Sequence, residues 1–145
     1  MNIRPIETGD LESILTIQSA SPEIAQWNKW DYARVARGEM AGWVAEQGQE
    51  ITGFLVARRI ASDLEILNFA VRADFRKQGM GALLVEQVLA WGKTFSATRA
   101  FLEVRASNLA ALRFYERHGF EVTGRRPRYY AAPIEDALTL AASLA

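Results

Sequence analysis

The chain has 145 residues, half of them hydrophobic, and its 17 basic and 17 acidic residues give a formal net charge of zero. A chain of this length can bury one core, so we expect a single domain over residues 1–145, and the charge balance argues against a general nucleic-acid-binding protein. With no cysteine and one histidine, it cannot form disulfides, thiolate metal sites, a cysteine nucleophile or a histidine-rich zinc site.

The amino-terminal residues predict a short strand followed by a helix. They lack the apolar core of a signal peptide, and no apolar run is long enough to cross a bilayer, so we expect a cytoplasmic protein that does not enter the membrane. The strand is expected over residues 3–6. Thr8 or Asp10 can cap the helix, in which apolar residues recur at helical spacing at Leu11, Ile14 and Leu15.

A second, less regular helical region is predicted from residue 21 to about residue 37. It is unusually aromatic, with Trp27, Trp30 and Tyr32. Aromatic side chains bury large apolar areas, so we expect this region to be a lid that packs on the core.

Three strands are predicted next. Residues 42–46 and 51–57 are rich in apolar residues and flank the turn signal Gln47-Gly48-Gln49-Glu50, which indicates an antiparallel hairpin. Ser62-Asp63 then leads into an apolar strand over residues 64–71.

A basic, glycine-bearing loop is the most informative stretch of the chain: Arg76-Lys77-Gln78-Gly79-Met80-Gly81-Ala82. It joins the strand 64–71 to a segment with helical spacing of apolar residues. Glycines allow close backbone approach and helix amino termini attract anions, so we predict a phosphate cradle for a pyrophosphate. From these residues alone, two alternatives stay open. One is a plain turn; the other is a dinucleotide site with Glu103 as ribose ligand, although Leu84 replaces its third glycine.

The last third of the chain predicts a strand, a helix and two further strands. The first strand covers residues 100–104, Ser107-Asn108 can cap the helix, and Gly119 can end it. The late strands cover residues 120–124 and 136–140 and are joined through residues 125–134. Together the elements predict a mixed sheet with helices on both faces.

Two blocks of the sequence resemble the GCN5-related N-acetyltransferase (GNAT) superfamily. The first runs from Asn68 through the glycine loop to Leu84, and the second from Leu102 to Phe120. The resemblance implies a single α/β domain whose mixed central sheet is splayed between the fourth and fifth strands, with helices on both faces. It also implies acetyl-CoA as the acetyl donor, with no metal.

The resemblance also implies roles for individual residues. Glu103 would be the general base for the amine, and Tyr115 the general acid for the leaving thiolate. Read without the resemblance, Glu103 is an ion-pair partner of Arg105 or another basic residue, and Tyr115 is core packing. The residues implied to bind acetyl-CoA are Phe69, Ala70, Val71, Arg76, Lys77, Gln78, Gly79, Met80, Gly81, Ala82 and Asn108.

The second block is most similar to the RimI branch of the superfamily, which acetylates the N-terminal alanine of a small-subunit ribosomal protein. We therefore expect a protein N-terminus, that of a ribosomal protein first, as the acceptor. Arg125-Arg126, Tyr129-Tyr130 and Glu135-Asp136 would border the peptide groove. Residues 22–27 and 131–134 depart from the branch, and two alternatives stay open: a small-molecule amine as acceptor, or a non-catalytic acyl-CoA-binding regulator.

Overall fold

The computed structural model describes residues 1–144. The strands of this part of the chain are β1 (Asn2–Pro5), β2 (Ala41–Gln47), β3 (Glu50–Ile60), β4 (Asp63–Val71), β5 (Arg99–Arg105), β6 (Glu121–Ala131) and β7 (Ile134–Ser143). Its helices are α1 (Leu11–Ser19), α2 (Lys29–Ala36), α3 (Met80–Thr94) and α4 (Leu109–Arg117), with 3₁₀ turns at Thr8–Asp10 and Ala73–Phe75. The strands form one sheet in the order β1-β2-β3-β4-β5-β7-β6. None of the helices within residues 1–144 is long and apolar enough to span a membrane.

The sheet carries a hydrophobic core on each face. Side chains alternate across β3, so Phe54 and Val56 pack with α1 and α2, whereas Leu55 and Ala57 pack with α3. The predicted mixed sheet with helices on both faces is therefore confirmed.

The sheet is splayed between β4 and β5. These parallel strands pair only at Asp63–Arg99, Leu64–Ala100 and Glu65–Phe101. Beyond those pairs β4 continues along β3 and β5 continues along β7, while the edges that face each other have no ladder partner. The predicted splay between the fourth and fifth strands is confirmed.

The predicted aromatic lid is only partly correct. Residues 21–28, which we call the front segment, are irregular, and the helix begins only after Asn28, whose side chain accepts a hydrogen bond from the Asp31 amide. Tyr32 is fully buried, but Trp30 is 73% exposed. The two residues lie on opposite faces of α2, so only one of them can face the core.

Most of the connection predicted over residues 125–134 is instead strand, because β6 extends to Ala131 and β7 begins at Ile134, which leaves residues 132 and 133 as the turn. The register between them is interrupted between Arg126 and Tyr130, and Arg128 has a φ of 55°. We call this interruption the β6 bulge. Periodicity could not reveal it, since β6 is an exposed edge strand without alternating apolar residues.

The predicted cap of α1 is correct in position only, because Asp10 is the N-cap residue but its side chain makes no hydrogen bond to the helix. Asp10 precedes the helix, but its carboxylate accepts hydrogen bonds from the Glu7 amide at 2.8 Å and from the Arg4 guanidinium at 2.8 and 2.9 Å. The partly buried arginine competes successfully because its fork matches both carboxylate oxygens.

Candidate active site

A cleft of about 730 Å³ opens where β4 and β5 separate. Its walls come from both strands, the glycine loop, α4, the front segment and the β6 bulge. Most of the predicted site residues line it: Phe69, Ala70, Val71, Arg76, Lys77, Gly79, Gly81, Ala82, Glu103, Asn108 and Tyr115. Gln78 and Met80 do not. The Gln78 side chain donates to the Asp74 carbonyl, and the Met80 side chain is buried against Thr52.

The glycine loop turns sharply into α3 and leaves backbone donors free. Lys77 and Gly79 have φ values of 63° and 87°. The amide N–H groups of residues 77–82 donate no hydrogen bond to any other group within residues 1–144. A Cβ at Gly81 would lie 3.2 Å from the rings of Phe69 and Phe114. The first glycine therefore permits the turn and the second permits close packing, and the free donors at the start of a helix suit an anion.

The two basic residues of this loop differ in their surroundings. Arg76 donates from Nε to the Val71 carbonyl at 3.0 Å, and its Nη2 lies 3.9 Å from Glu23 in the front segment. Lys77 is exposed and forms no ion pair with the described part of the chain. Arg76 thus links the loop to the end of β4, whereas Lys77 remains free to meet an anion.

Asn108 lies at the cleft, immediately before the first residue of α4. The Asn108 side-chain oxygen accepts a hydrogen bond from the Ala111 amide at 3.2 Å, which confirms the predicted cap. At the far end of the helix, the His118 ring lies 4.5 Å from the Phe114 ring. The cap fixes the start of a helix that carries Tyr115 into the cleft.

Glu103 presents two unequal carboxylate oxygens. The side chain is 14% exposed, and Oε1 lies 3.4 Å from Nε of Arg126 on β6. Oε2 is buried and has no hydrogen-bond partner within residues 1–144. Arg105, considered as the ion-pair partner from sequence, lies instead 3.9 Å from Glu135. Glu103 is therefore an ion-pair partner of Arg126, and its second oxygen is buried without a hydrogen-bond partner among residues 1–144.

Two tyrosines of the β6 bulge stand beside this carboxylate. The rings of Tyr129 and Tyr130 meet edge to face at 5.1 Å. The negative charge of Glu103 raises the pKa of Tyr129. Burial, followed by the charge of Glu103, raises the pKa of Tyr130 to about 12. Both phenols therefore stay neutral near pH 7 and form a polar but uncharged wall.

Tyr115 combines a packed ring with an available hydroxyl. It is 4% exposed, and its ring lies 5.4 Å from Phe120 and 6.1 Å from Phe69. Burial raises the pKa of Tyr115 well above its usual range. Its hydroxyl forms no hydrogen bond with the described residues. The hydroxyl is therefore a protonated donor at the wall of the cleft.

A buried polar network holds the front segment against β4, and sequence reasoning missed it. The Asn68 amide donates to the Ala25 carbonyl and to the Tyr32 hydroxyl, both at 2.9 Å. That hydroxyl donates to the Gln18 side chain, whose amide in turn donates to the Trp27 carbonyl at 2.7 Å. The available signal was Asn68 itself, a polar side chain in an apolar strand, because such a residue needs buried partners.

The comparisons with known proteins agree with this architecture. The sequence matches the acetyltransferase (GNAT) family over residues 9–120. The chain belongs to this family. The GNAT chain is 28% identical over 141 residues to the ribosomal protein bS18-alanine N-acetyltransferase of Escherichia coli strain K12, covering 96% of this chain and 95% of the relative.

A second relative is an N-alpha-acetyltransferase of Sulfolobus acidocaldarius. It is 31% identical over an aligned length of 157 residues, gaps included, which covers 98% of this chain and 92% of the relative. The crystal structure of the ribosomal-protein-S18-alanine N-acetyltransferase from Escherichia coli matches with a TM-score of 0.87 at 27% identity, covering 99% of this chain and 94% of that one. The predicted superfamily and its fold are thereby confirmed.

Proposed function

We propose that this GNAT protein transfers the acetyl group of acetyl-CoA to the N-terminal amine of a protein, with the N-terminal alanine of a small-subunit ribosomal protein as the first candidate acceptor. One observation carries the proposal: a single cleft is lined by the carboxylate of Glu103, the free hydroxyl of Tyr115 and the free amides of the glycine loop. The names of the two relatives, one for bS18 alanine and one for N-alpha acetylation, support the choice of acceptor.

In this proposal acetyl-CoA binds mainly through the backbone. Its pyrophosphate would accept hydrogen bonds from the amides of residues 77–82, with Lys77 and Arg76 adding positive charge. Its pantetheine arm would lie along Phe69, Ala70 and Val71, where β4 no longer pairs with β5. Asn108 would border it at the start of α4. Gln78 and Met80 would take part only through their amides, because their side chains point elsewhere.

The proposed chemistry needs one base and one acid. Bound acetyl-CoA supplies a thioester whose carbon–sulfur bond breaks as the new carbon–nitrogen bond forms. Glu103 would take a proton from the amine, directly or through a water. Tyr115 would give its proton to the departing sulfur. The phenol of Tyr115 begins in the protonated state that this step requires, because burial raises its pKa.

The test uses the purified chain, acetyl-CoA and three acceptors. They are a peptide with a free N-terminal alanine and an internal lysine, the same peptide with its N-terminus blocked, and a small amine. Release of free thiol and mass spectrometry report the transfer. We expect acetylation only of the free N-terminus.

The remaining outcomes separate the alternatives. Transfer to the small amine alone would favour a small-molecule acetyltransferase, and binding of acetyl-CoA without thiol release for any acceptor would favour a regulator. Mass spectrometry of ribosomal proteins from cells that lack this enzyme then tests the ribosomal acceptor, since unchanged N-terminal acetylation across that set contradicts it.

A further inference from the structure

The turn between β6 and β7 is fastened to the end of β5 by one arginine. Arg105, the last residue of β5, donates from Nη1 to the Pro133 carbonyl at 3.2 Å and from Nη2 to the Ala132 carbonyl at 3.3 Å. Its guanidinium carbon also lies 4.3 Å from the centre of the Tyr130 ring. The arginine side chain is 17% exposed. One planar, largely buried cation therefore holds both carbonyls of the turn and lies over a tyrosine ring.

A second contact ties the same hairpin to the same segment. Glu135 on β7 accepts hydrogen bonds at Oε1 from the Ser107 amide at 3.0 Å and from the Ser107 hydroxyl at 2.7 Å. Its Oε2 lies 3.9 Å from Nη1 of Arg105. The link from β5 to α4 thus anchors the β6–β7 hairpin at two places, and only the one at Arg105 includes a ring.

The strand ladder alone does not fix the Tyr130 ring. The register between β6 and β7 is interrupted after Arg126 and resumes only at the pair Tyr130–Glu135. In the described sheet β6 pairs with β7 alone, so its other edge gives no support. The neighbouring Tyr129, whose ring lies 5.1 Å away, is itself 51% exposed. The position of the Tyr130 ring therefore depends on its contact with Arg105.

We propose that Arg105 is a positioning residue that holds the Tyr130 ring in the wall of the cleft that meets the acceptor peptide. This inference rests on the proposed function. Of the described residues, Tyr130 lines the cleft, whereas Arg105 and Ser107 do not. The arginine therefore acts on the acceptor through the ring and the turn. A guanidinium suits this task because its fork can satisfy two carbonyls while its plane lies over an aromatic ring.

A purely structural role for Arg105 predicts a different result. If the arginine only stabilised the fold, its loss would lower thermal stability without a selective effect on either substrate. Within residues 1–144, Arg105 forms no hydrogen bond or ion pair with the glycine loop, and its partners belong to the β6–β7 hairpin. Its removal should therefore affect the peptide and spare acetyl-CoA.

The test compares Arg105→Met with Arg99→Met, a matched change at the other end of β5. Arg99 lies 3.1 Å from the Asp63 carboxylate and 5.0 Å from the centre of the Phe101 ring, and it is not among the described residues that line the cleft. Arg105→Met should raise the peptide KM about three- to tenfold, the usual worth of a cation–π contact. The kcat and the KM for acetyl-CoA should change by less than about twofold, and Arg99→Met should match the wild type.

Two further variants test whether the effect passes through the ring. Arg105→Lys keeps a cation for the ring but loses the fork, so it should recover part of the loss. In a Tyr130→Ala background, Arg105→Met should raise the peptide KM no further, because the group it positions is gone. Thermal unfolding and calorimetry with acetyl-CoA show that each variant is folded. Should Arg105→Met not fold, Arg105→Gln, with Arg99→Gln as its control, carries the same comparison.

Three results would overturn the inference: an unchanged peptide KM in the folded Arg105 variant, an equal rise in the Arg99 variant, or an undiminished further rise in the Tyr130→Ala background. Failure of the proposed function has a different signature, because the wild type then acetylates no peptide N-terminus. Failure of this inference alone leaves a wild type that acetylates the peptide.

Discussion

The two halves of the cleft differ in the groups they present: one presents mainly backbone and the other mainly side chains. The half proposed to bind the coenzyme, called the coenzyme half, is formed by the glycine loop, the end of β4 and the start of α4 and offers backbone amides and a tight turn. The half proposed to bind the acceptor, called the acceptor half, is formed by the front segment and the β6–β7 hairpin and offers side chains held by other side chains, as in the pair Glu103–Arg126. A backbone site tolerates most side-chain changes unless the turn or a close approach is lost. A side-chain site changes with a single substitution.

The largest effect is expected where the halves meet, at Tyr115. Tyr115→Phe removes only the hydroxyl and keeps the ring against Phe120 and Phe69. The kcat should fall by about 10²–10⁴-fold, the usual worth of a proton donor, while calorimetry shows unchanged binding of acetyl-CoA. An unchanged, wild-type kcat in this variant would show that the hydroxyl is not the proton donor and that Tyr115 serves only in packing.

The pH profile tests the same residue without a substitution. Because burial raises the pKa of Tyr115, the donor form persists above its ordinary pKa and is lost only as the pH rises through the higher folded value. The wild-type rate should therefore rise with pH as the amine deprotonates. It should show no alkaline decline at any pH up to about 10. An alkaline decline centred near pH 8 would point to another acid.

The next largest effect tests the backbone character of the coenzyme half. In Gly79→Val a β-branched residue must adopt a φ of 87°, and the loop is expected to relieve this strain by moving its amides. A strain of about 1–2 kcal/mol corresponds to roughly tenfold weaker binding of acetyl-CoA by calorimetry.

The matched control is Gly48→Val in the β2–β3 turn. This glycine has a φ of 64°, and a Cβ added to it, like one added to Gly79, would meet no atom within 4 Å. The control should lose similar thermal stability but keep its affinity for acetyl-CoA. An equal loss of affinity in both variants would mean that global strain, rather than the cradle, governs binding.

A moderate effect is expected from the network behind the acceptor half. Tyr32→Phe leaves the buried side chains of Gln18 and Asn68 without their shared hydroxyl. Urea denaturation should show a loss of about 1–3 kcal/mol, the cost of unpaired buried polar groups. Gln18 and Asn68 hold the front segment, so loss of the hydroxyl that links their side chains should raise the KM of the peptide more than that of acetyl-CoA. A larger increase in the KM of acetyl-CoA than in that of the peptide would instead indicate that the front segment belongs to the coenzyme half.

The smallest effect is expected at Trp30. This side chain is 73% exposed and faces away from the core, so Trp30→Ala should change stability by no more than about 0.5 kcal/mol and leave both KM values unchanged. Trp27→Ala is the comparison, because Trp27 lines the cleft and its ring lies 5.3 Å from that of Tyr32. A raised peptide KM in Trp30→Ala would extend the acceptor half onto the outer face of α2.

The sequence predicts the coenzyme half far better than the acceptor half, for a physical reason. The glycine loop is local, because a strand, a turn and the start of a helix follow one another directly in the chain. The pattern of apolar residues identifies the strand and the helix, and the glycines identify the turn. The pair Glu103–Arg126 depends instead on the pairing of β5, β7 and β6 and on the bulge within β6. The contact between Asn68 and Tyr32 spans 36 positions of the chain. Neither contact leaves a pattern in neighbouring residues.

The position of β6 in the sheet has a consequence for how such an enzyme can diversify. This strand pairs only with β7, and nearly all its residues are exposed. Most replacements there should cost little folding free energy, since exposed positions usually tolerate change. The hairpin proposed to border the acceptor can therefore accumulate mutations, or be exchanged by protein engineering, while the proposed site for the acetyl donor stays intact. Preference for a new amine could evolve at this edge without a new core.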